Sequence, residues 1–138
     1  MSNILTQDND LKALLKGSKT IAVVGLSPDP SRPSYEVAIY LQARGYQIIP
    51  VRPDADEILG EKAYASLMEI PFPVDIVDIF RKAEFIPAIV DEAIKIRSKA
   101  VWMQLGLSHA AAAKKASDAG LKVVQDRCLL IEHRRLIS

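Results

Sequence analysis

Apolar positions along the chain fall into two alternating patterns. Five short runs, Thr20–Val24, 46–51, 74–80, 100–104 and 121–125, are apolar almost throughout and bounded by charges, glycine or proline. That is the pattern of strands covered on both faces in a parallel sheet. Between and around them, apolar residues recur every three or four positions, the helical period. Leu11, Leu14 and Leu15 share one face behind Asp8 and Asp10, which offer N-caps, and Gly17 stands as a stop. This first helix is expected to pack as a lid on the main body. Ser34 is placed to cap a second helix with Val37, Ala38, Tyr40 and Leu41 inward and Gly45 after its end. Residues 85–96 carry apolar side chains at 86, 89, 90, 93 and 94, with Pro87 tolerated in the first turn. Ser108 is placed to cap an alanine-rich helix ending at Gly120, and the CLLIEHRRL stretch, 128–136, closes the chain as a helical turn.

The stretch 53–73 mixes acids, Gly60 and prolines without a long period. It predicts a short edge strand at 62–64 and a helical turn at 66–69. Asp75 and Asp78 interrupt the third apolar run, so one of them needs a buried partner.

Strands alternating with helices predict an α/β fold, a doubly wound, Rossmann-like parallel sheet of five or six strands with helices on both faces. With 62–64 counted as a strand the order is 3-2-1-4-5-6; without it, the flavodoxin-like 2-1-3-4-5 is the alternative. At 138 residues the expectation is one domain, 1–138, with no repeat, linker or low-complexity tract. Either order places a ligand crevice at the carboxyl ends of the strands, where the sheet switches direction. The loop after Val24, the end of the second strand, Phe80 with Arg81, and 104–108 converge there.

Composition narrows the partners. Apolar residues make up 49% of the chain and charged ones 25%, with a net charge of +1 and both signs interspersed. No basic face is available for duplex nucleic acid or a membrane surface. No apolar run is long enough to span a bilayer, and the first 17 residues lack the pattern of a secretion signal. The single cysteine, Cys128, excludes an internal disulfide and, with only His109 and His133 beside it, makes a poor zinc set. A reducing, cytoplasmic setting is expected. A homodimer and an unknown protein partner are both compatible with this composition.

The stretch GLSPDPSRPS, 25–34, lies between a strand and a helix start, where backbone N–H groups and the positive helix end favour a phosphate. Gly25 supplies only the first glycine of G-x-G-x-x-G. Prolines at 28, 30 and 33 make the loop stiff, and Ser27, Ser31, Ser34 and Arg32 add donors; the alternative is a rigid surface turn. Arg52, at the end of the second strand, stands where an NAD site would carry an acid. It points instead to a phosphorylated ribose, as in NADP or coenzyme A, unless it pairs with Asp54 or Asp56. Arg81 is placed to reach a pyrophosphate or stack on a ring, or is a plain helix-start arginine.

Weaker candidates remain. His109 at a helix start has the chemistry of a general acid or base but reads more simply as a surface histidine. Cys128, Glu132 and His133 are spaced i, i+4, i+5, and three mixed ligands on one turn are more often coincidence than a metal site. Trp102, Phe85 and Tyr40 read as core. No nucleophilic triad, paired carboxylates or zinc motif appears, so no residue is assigned to catalysis or to a metal.

Five blocks together, IAVVGLSPDPSRPSYEVAIYLQARGYQIIPVRP, ILGEKAY, VDIVDIFR, AVWMQLG and DRCLLIEH, resemble the small single-domain CoA-binding proteins related to the N-terminal domain of the succinyl-CoA synthetase α subunit. The resemblance runs from about Thr20 to His133. It implies a Rossmann-type domain that binds the ADP end of coenzyme A, or of an acyl-CoA, across the switch point. Carried over, it places Gly25, Ser27, Pro28, Ser31, Arg32, Pro33 and Ser34 at the phosphates, Val51, Arg52 and Pro53 by the adenosine, and Phe80 and Arg81 as the closing pair. The family pattern has asparagine between Val51 and Pro53. Arg52 therefore either adds a contact to the 3′-phosphate or fills the pocket. Relatives that do chemistry carry further ligase domains with a phosphorylated histidine, for which this chain has no room. The resemblance implies a binding or regulatory module, with an NADP-dependent reductase or a partner-dependent acyl-CoA transferase or ligase subunit as the alternatives.

Overall fold

The computed structural model describes residues 2–137. Five strands, β1 (Thr20–Val24), β2 (Gln47–Val51), β5 (Ile76–Ile79), β6 (Ala100–Met103) and β7 (Lys122–Val124), form one parallel sheet in the order β2-β1-β5-β6-β7. A two-stranded antiparallel hairpin, β3 (Glu57–Ile58) with β4 (Glu61–Lys62), sits apart. Counting only sheet strands, this is 2-1-3-4-5. The α/β class stands, and the six-strand order 3-2-1-4-5-6 is corrected. In place of a third strand at 62–64, only Tyr64 reaches the sheet, as a single parallel bridge to Val51. Its N–H donates to the Pro50 carbonyl (2.9 Å), and its own carbonyl accepts from Arg52 N–H (2.8 Å). Residues 59 and 60 turn back instead, both at positive φ, the geometry of a tight hairpin turn.

The alternation of side chains across each strand divides the core. Ala22, Val24, Val77, Ile79, Val101 and Met103 face α3 (Ile86–Lys95) and α4 (Ala110–Asp118). Ile21, Val23, Ile76, Trp102 and Val124 face α1 (Asp8–Lys16), α2 (Pro33–Ala43) and α5 (Leu129–Ile137). Leu11 and Leu15 on α1 are fully buried. The first helix is a wall of the core, not a lid. The closing turn is a complete helix, and Trp102 is buried with its indole N–H on the Arg127 carbonyl (2.8 Å).

Three expected caps shift by a residue or more. α1 follows Gln7, with Asp8 and Asp10 inside its first turn. α2 begins at Pro33, so Ser34 lies inside the first turn. The cap of α4 is His109, whose Nδ1 accepts from Ala112 N–H (3.1 Å). Residues 83–85 form a 3₁₀ turn before α3, and Phe85 is 40% exposed, not core. At the far edge, Ile4 bridges Val123, with Leu5 N–H on the Val123 carbonyl (2.7 Å).

Candidate functional site

At the carboxyl end of β1 the chain must turn hard against its neighbour. Gly25 has φ +90°, and a Cβ there would lie 2.7 Å from the Phe80 carbonyl oxygen. No side chain fits. Gly25 N–H donates to the Val51 carbonyl (3.0 Å) and Phe80 N–H to the Val24 carbonyl (2.9 Å), so the loop leaves from a point locked to both neighbouring strands.

The loop then fastens itself. Ser34 Oγ accepts from Ser27 N–H (3.0 Å), Ser27 Oγ from Asp29 N–H (3.1 Å), and Asp29 Oδ1 from both Ser31 N–H (3.0 Å) and the Ser31 hydroxyl (2.8 Å). Ser34 is thus a strut of the loop rather than a helix cap. Pro33 at the first helical position presets the backbone for α2, whose positive end faces the loop.

Gly25, Ser27, Arg32, Pro33, Ser34, Arg52 and Phe80 enclose a polar hollow of about 340 Å³. Seven of the twelve residues singled out in the sequence therefore meet. Pro28 and Ser31 lie on the exposed outer side of the loop. Val51 is buried in the core beside the hollow, and Pro53 follows Arg52 on the surface. Arg52 pairs with Asp54, Nε to Oδ1 at 2.6 Å, and donates from Nη1 to the Leu26 carbonyl at 3.3 Å. The pairing anticipated with a neighbouring acid is realised, and it holds the guanidinium at the rim. The same arginine pulls the Asp54 carboxyl below its ordinary range. Arg81 stacks on Phe85, 4.3 Å from the ring centre.

Phe80 and Pro33 also belong to a second, larger hollow of about 530 Å³, walled by Val37, Gln104, Leu105, Leu107, Cys128 and Ile131, with Arg81 and Lys82 beside them. The sequence pointed to 104–108 as converging here. It missed Val37, whose helical spacing reads as core, and Ile131, which lies unassigned in the closing turn, and it offered Cys128 only as a metal ligand. Cys128 lines the hollow, while Glu132 is held by Arg127 and Arg135 and His133 Nδ1 by the Tyr40 hydroxyl (3.1 Å). Among the described residues no three His, Cys, Asp or Glu side chains cluster as metal ligands.

One group beneath the site is unsatisfied. Asp78 on β5 is fully buried, and neither carboxyl oxygen has a hydrogen-bond partner among the described residues. Burial pushes its pKa well above the usual aspartate range, so it is held protonated far more readily than an exposed acid. The need foreseen in the sequence is met at Asp75, whose Oδ2 accepts from Lys19 N–H (2.7 Å) and Thr20 N–H (3.2 Å), and not at Asp78.

The profile of the CoA binding domain family matches residues 19–134. The chain belongs to that family. This CoA-binding-domain protein is 42% identical to the uncharacterized protein YneT of Bacillus subtilis over 124 residues, 90% of this chain and 92% of YneT. Its structure superposes on a hypothetical protein from Pyrococcus horikoshii OT3 with a TM-score of 0.93 at 41% identity, covering 96% of this chain and 94% of the other. It is also 36% identical over 94 residues, 66% of its length, to acetate–CoA ligase [ADP-forming] II of Archaeoglobus fulgidus, and spans 14% of that ligase. No helix among the described residues is long and apolar enough to cross a membrane.

Proposed function

We propose that the protein binds coenzyme A or an acyl-CoA through its ADP moiety, as a binding or regulatory module of the cytoplasm. The observation that carries the reading is the polar hollow at the β1–α2 turn. Two arginines, Arg32 and Arg52, two seryl hydroxyls and the positive end of α2 surround a space beside a backbone that only glycine permits. These donors suit phosphate oxygens. In this reading Gly25, Ser27, Arg32, Pro33 and Ser34 hold the diphosphate, with Pro28 and Ser31 stiffening the loop outside it. Val51, Arg52 and Pro53 flank the adenosine, and Phe80 and Arg81 close the crevice. Arg52 takes the 3′-phosphate by exchanging its Asp54 partner for the ligand.

Calorimetry with CoA, dephospho-CoA, NAD and NADP tests this. CoA is expected to bind best, and a ligand at 100 times its dissociation constant adds about 2.7 kcal/mol to stability. Silence toward all four ends the reading. Arg52→Ala should weaken CoA by roughly tenfold or more, about 1.5–3 kcal/mol for hydrogen bonds to a charged group, and leave dephospho-CoA nearly unchanged. Equal losses for both ligands would take the 3′-phosphate away from Arg52.

The likeness to part of an acetate–CoA ligase favours a second reading, in which the chain supplies the CoA site to a partner that carries out acyl transfer. That reading requires the protein to co-purify with a larger subunit and to raise its turnover.

A further inference from the structure

The two hollows at the crevice differ in kind although they share Pro33 and Phe80. The smaller is lined by cations and hydroxyls. The larger is walled mainly by hydrocarbon contributed from three separate elements: Val37 from α2, Leu105 and Leu107 from the loop after β6, and Ile131 from α5. Leu105 is 65% exposed and Ile131 45% exposed, among the few large apolar side chains the fold leaves in water. Single exposed apolar residues are ordinary; two of them turned into one concave space beside a polar anchor point mark a ligand chamber. Of the polar groups at this wall, Gln104 Oε1 accepts from Leu129 N–H (3.0 Å) and Arg81 lies over the Phe85 ring, while Lys82 stays exposed to solvent at the edge.

Resting on the CoA reading above, we propose that the larger hollow is an acyl chamber, and that the ligand is a CoA thioester of an uncharged, apolar acyl group rather than free CoA. With the diphosphate in the smaller hollow, the pantetheine arm crosses the saddle made by Pro33 and Phe80, and the acyl chain enters the space between Val37, Leu105 and Ile131. The amide-bearing arm gains little from a hydrocarbon wall, whereas each methylene of an acyl chain gains by leaving water.

Calorimetry with CoA, acetyl-CoA, butyryl-CoA, hexanoyl-CoA and succinyl-CoA decides the matter. Affinity should rise by about fourfold per methylene, the equivalent of about 0.8 kcal/mol, until the chamber is full. Succinyl-CoA should bind more weakly than butyryl-CoA. Leu105→Ser and Ile131→Ser, both at the surface, should bring the ratio of hexanoyl-CoA to CoA affinity toward one. Cys128, the chain's only cysteine, reports from the chamber wall. Its labelling by a thiol reagent should be slowed more by hexanoyl-CoA than by CoA. CoA binding with no gain along the series, equal protection of Cys128, or a preference for succinyl-CoA overturns the acyl chamber and leaves the CoA site standing. Absence of binding by CoA and every thioester instead removes the CoA site itself, and the chamber with it.

Discussion

Two regions on the same face of the sheet treat buried carboxyls in opposite ways. In the seam between α1 and α5, Glu132 is nearly buried, and it accepts from Arg127 Nη1 (2.5 Å) and from Arg135, which also forks onto Asp8 at 2.8 and 2.9 Å. These arginines, Arg135 first, hold its pKa below the usual range. On β5, two residues before Phe80, Asp78 is buried more completely and has no hydrogen-bond partner among the described residues. The paired acid fixes Arg135, which ties α5 to Asp8 of α1, and an unpaired acid costs stability at neutral pH. The difference separates the part of the molecule built for cohesion from the part that tolerates unfavourable contacts: a lone acid, exposed leucine and isoleucine side chains, and a glycine no other residue replaces.

The sharpest way to break this division is at Gly25. Gly25→Ala must move the Phe80 backbone and hold alanine at φ +90°, so a loss of about 3 kcal/mol is expected in denaturant unfolding, together with loss of CoA binding. Gly45→Ala shares the positive φ but meets nothing within 4 Å, and should cost only about 1–2 kcal/mol. Equal costs would mean that the close approach to Phe80 is unimportant. Next in size is the seam: Arg127→Ala removes a charged hydrogen bond from a nearly buried acid and should cost about 1.5–3 kcal/mol, with ligand affinity unaltered.

The two acids should also differ in the sign of their pH dependence. The native state holds the Asp78 proton more tightly than the unfolded chain does. Relative to Asp78→Asn, the wild type should therefore lose stability as pH rises above the ordinary aspartate range near 4. Glu132 runs the other way. Relative to Glu132→Gln, the wild type keeps its advantage at neutral pH and loses it as pH falls through the acidic range below about 4. Urea midpoints measured from pH 4 to 7.5 for the first pair and from pH 2.5 to 6 for the second would show it, and parallel curves would erase the contrast. The smallest effect is at the loop strut. Ser34→Ala leaves Ser27 N–H without its partner and should cost about 1 kcal/mol, with a weaker phosphate site read by titration.

Much of this was legible in the chain because each sheet strand is a mainly apolar run, interrupted within β5 only by Asp78, and each helix face repeats at helical spacing. The turn at the β1 end was legible too, since a strand ending in Gly25 before a proline-rich helix start reads either as a phosphate loop or as a rigid turn, and both need that glycine. What the sequence hid depends on contacts distant along the chain. Tyr64 was read as part of a strand because nothing local says that only one residue reaches β2. Val37 looked like core because periodicity reports a face and not what covers it, and its wall of the larger hollow is completed only by Ile131 from the far end of the chain. Ser34 looked like a cap because the position of Pro33 inside the helix is set by the loop's own hydrogen bonds. Asp78 was noticed as an anomaly, and only the packing of Val23 and Trp102 on either side of it in the sheet shows that no partner arrives.

The single bridges at Tyr64 and Ile4 bear on solubility. An open five-stranded sheet presents two rows of backbone groups to which a second copy can add. Here β2 carries Pro50, which has no N–H to offer, and Tyr64 occupies the carbonyl beside it, while residues 3–5 occupy the backbone of Val123 at the other margin. Two short pieces of chain, neither long enough to be a strand, thus do the work of edge guards. They cover part of each margin, so that a second copy adding to the sheet would first have to displace them.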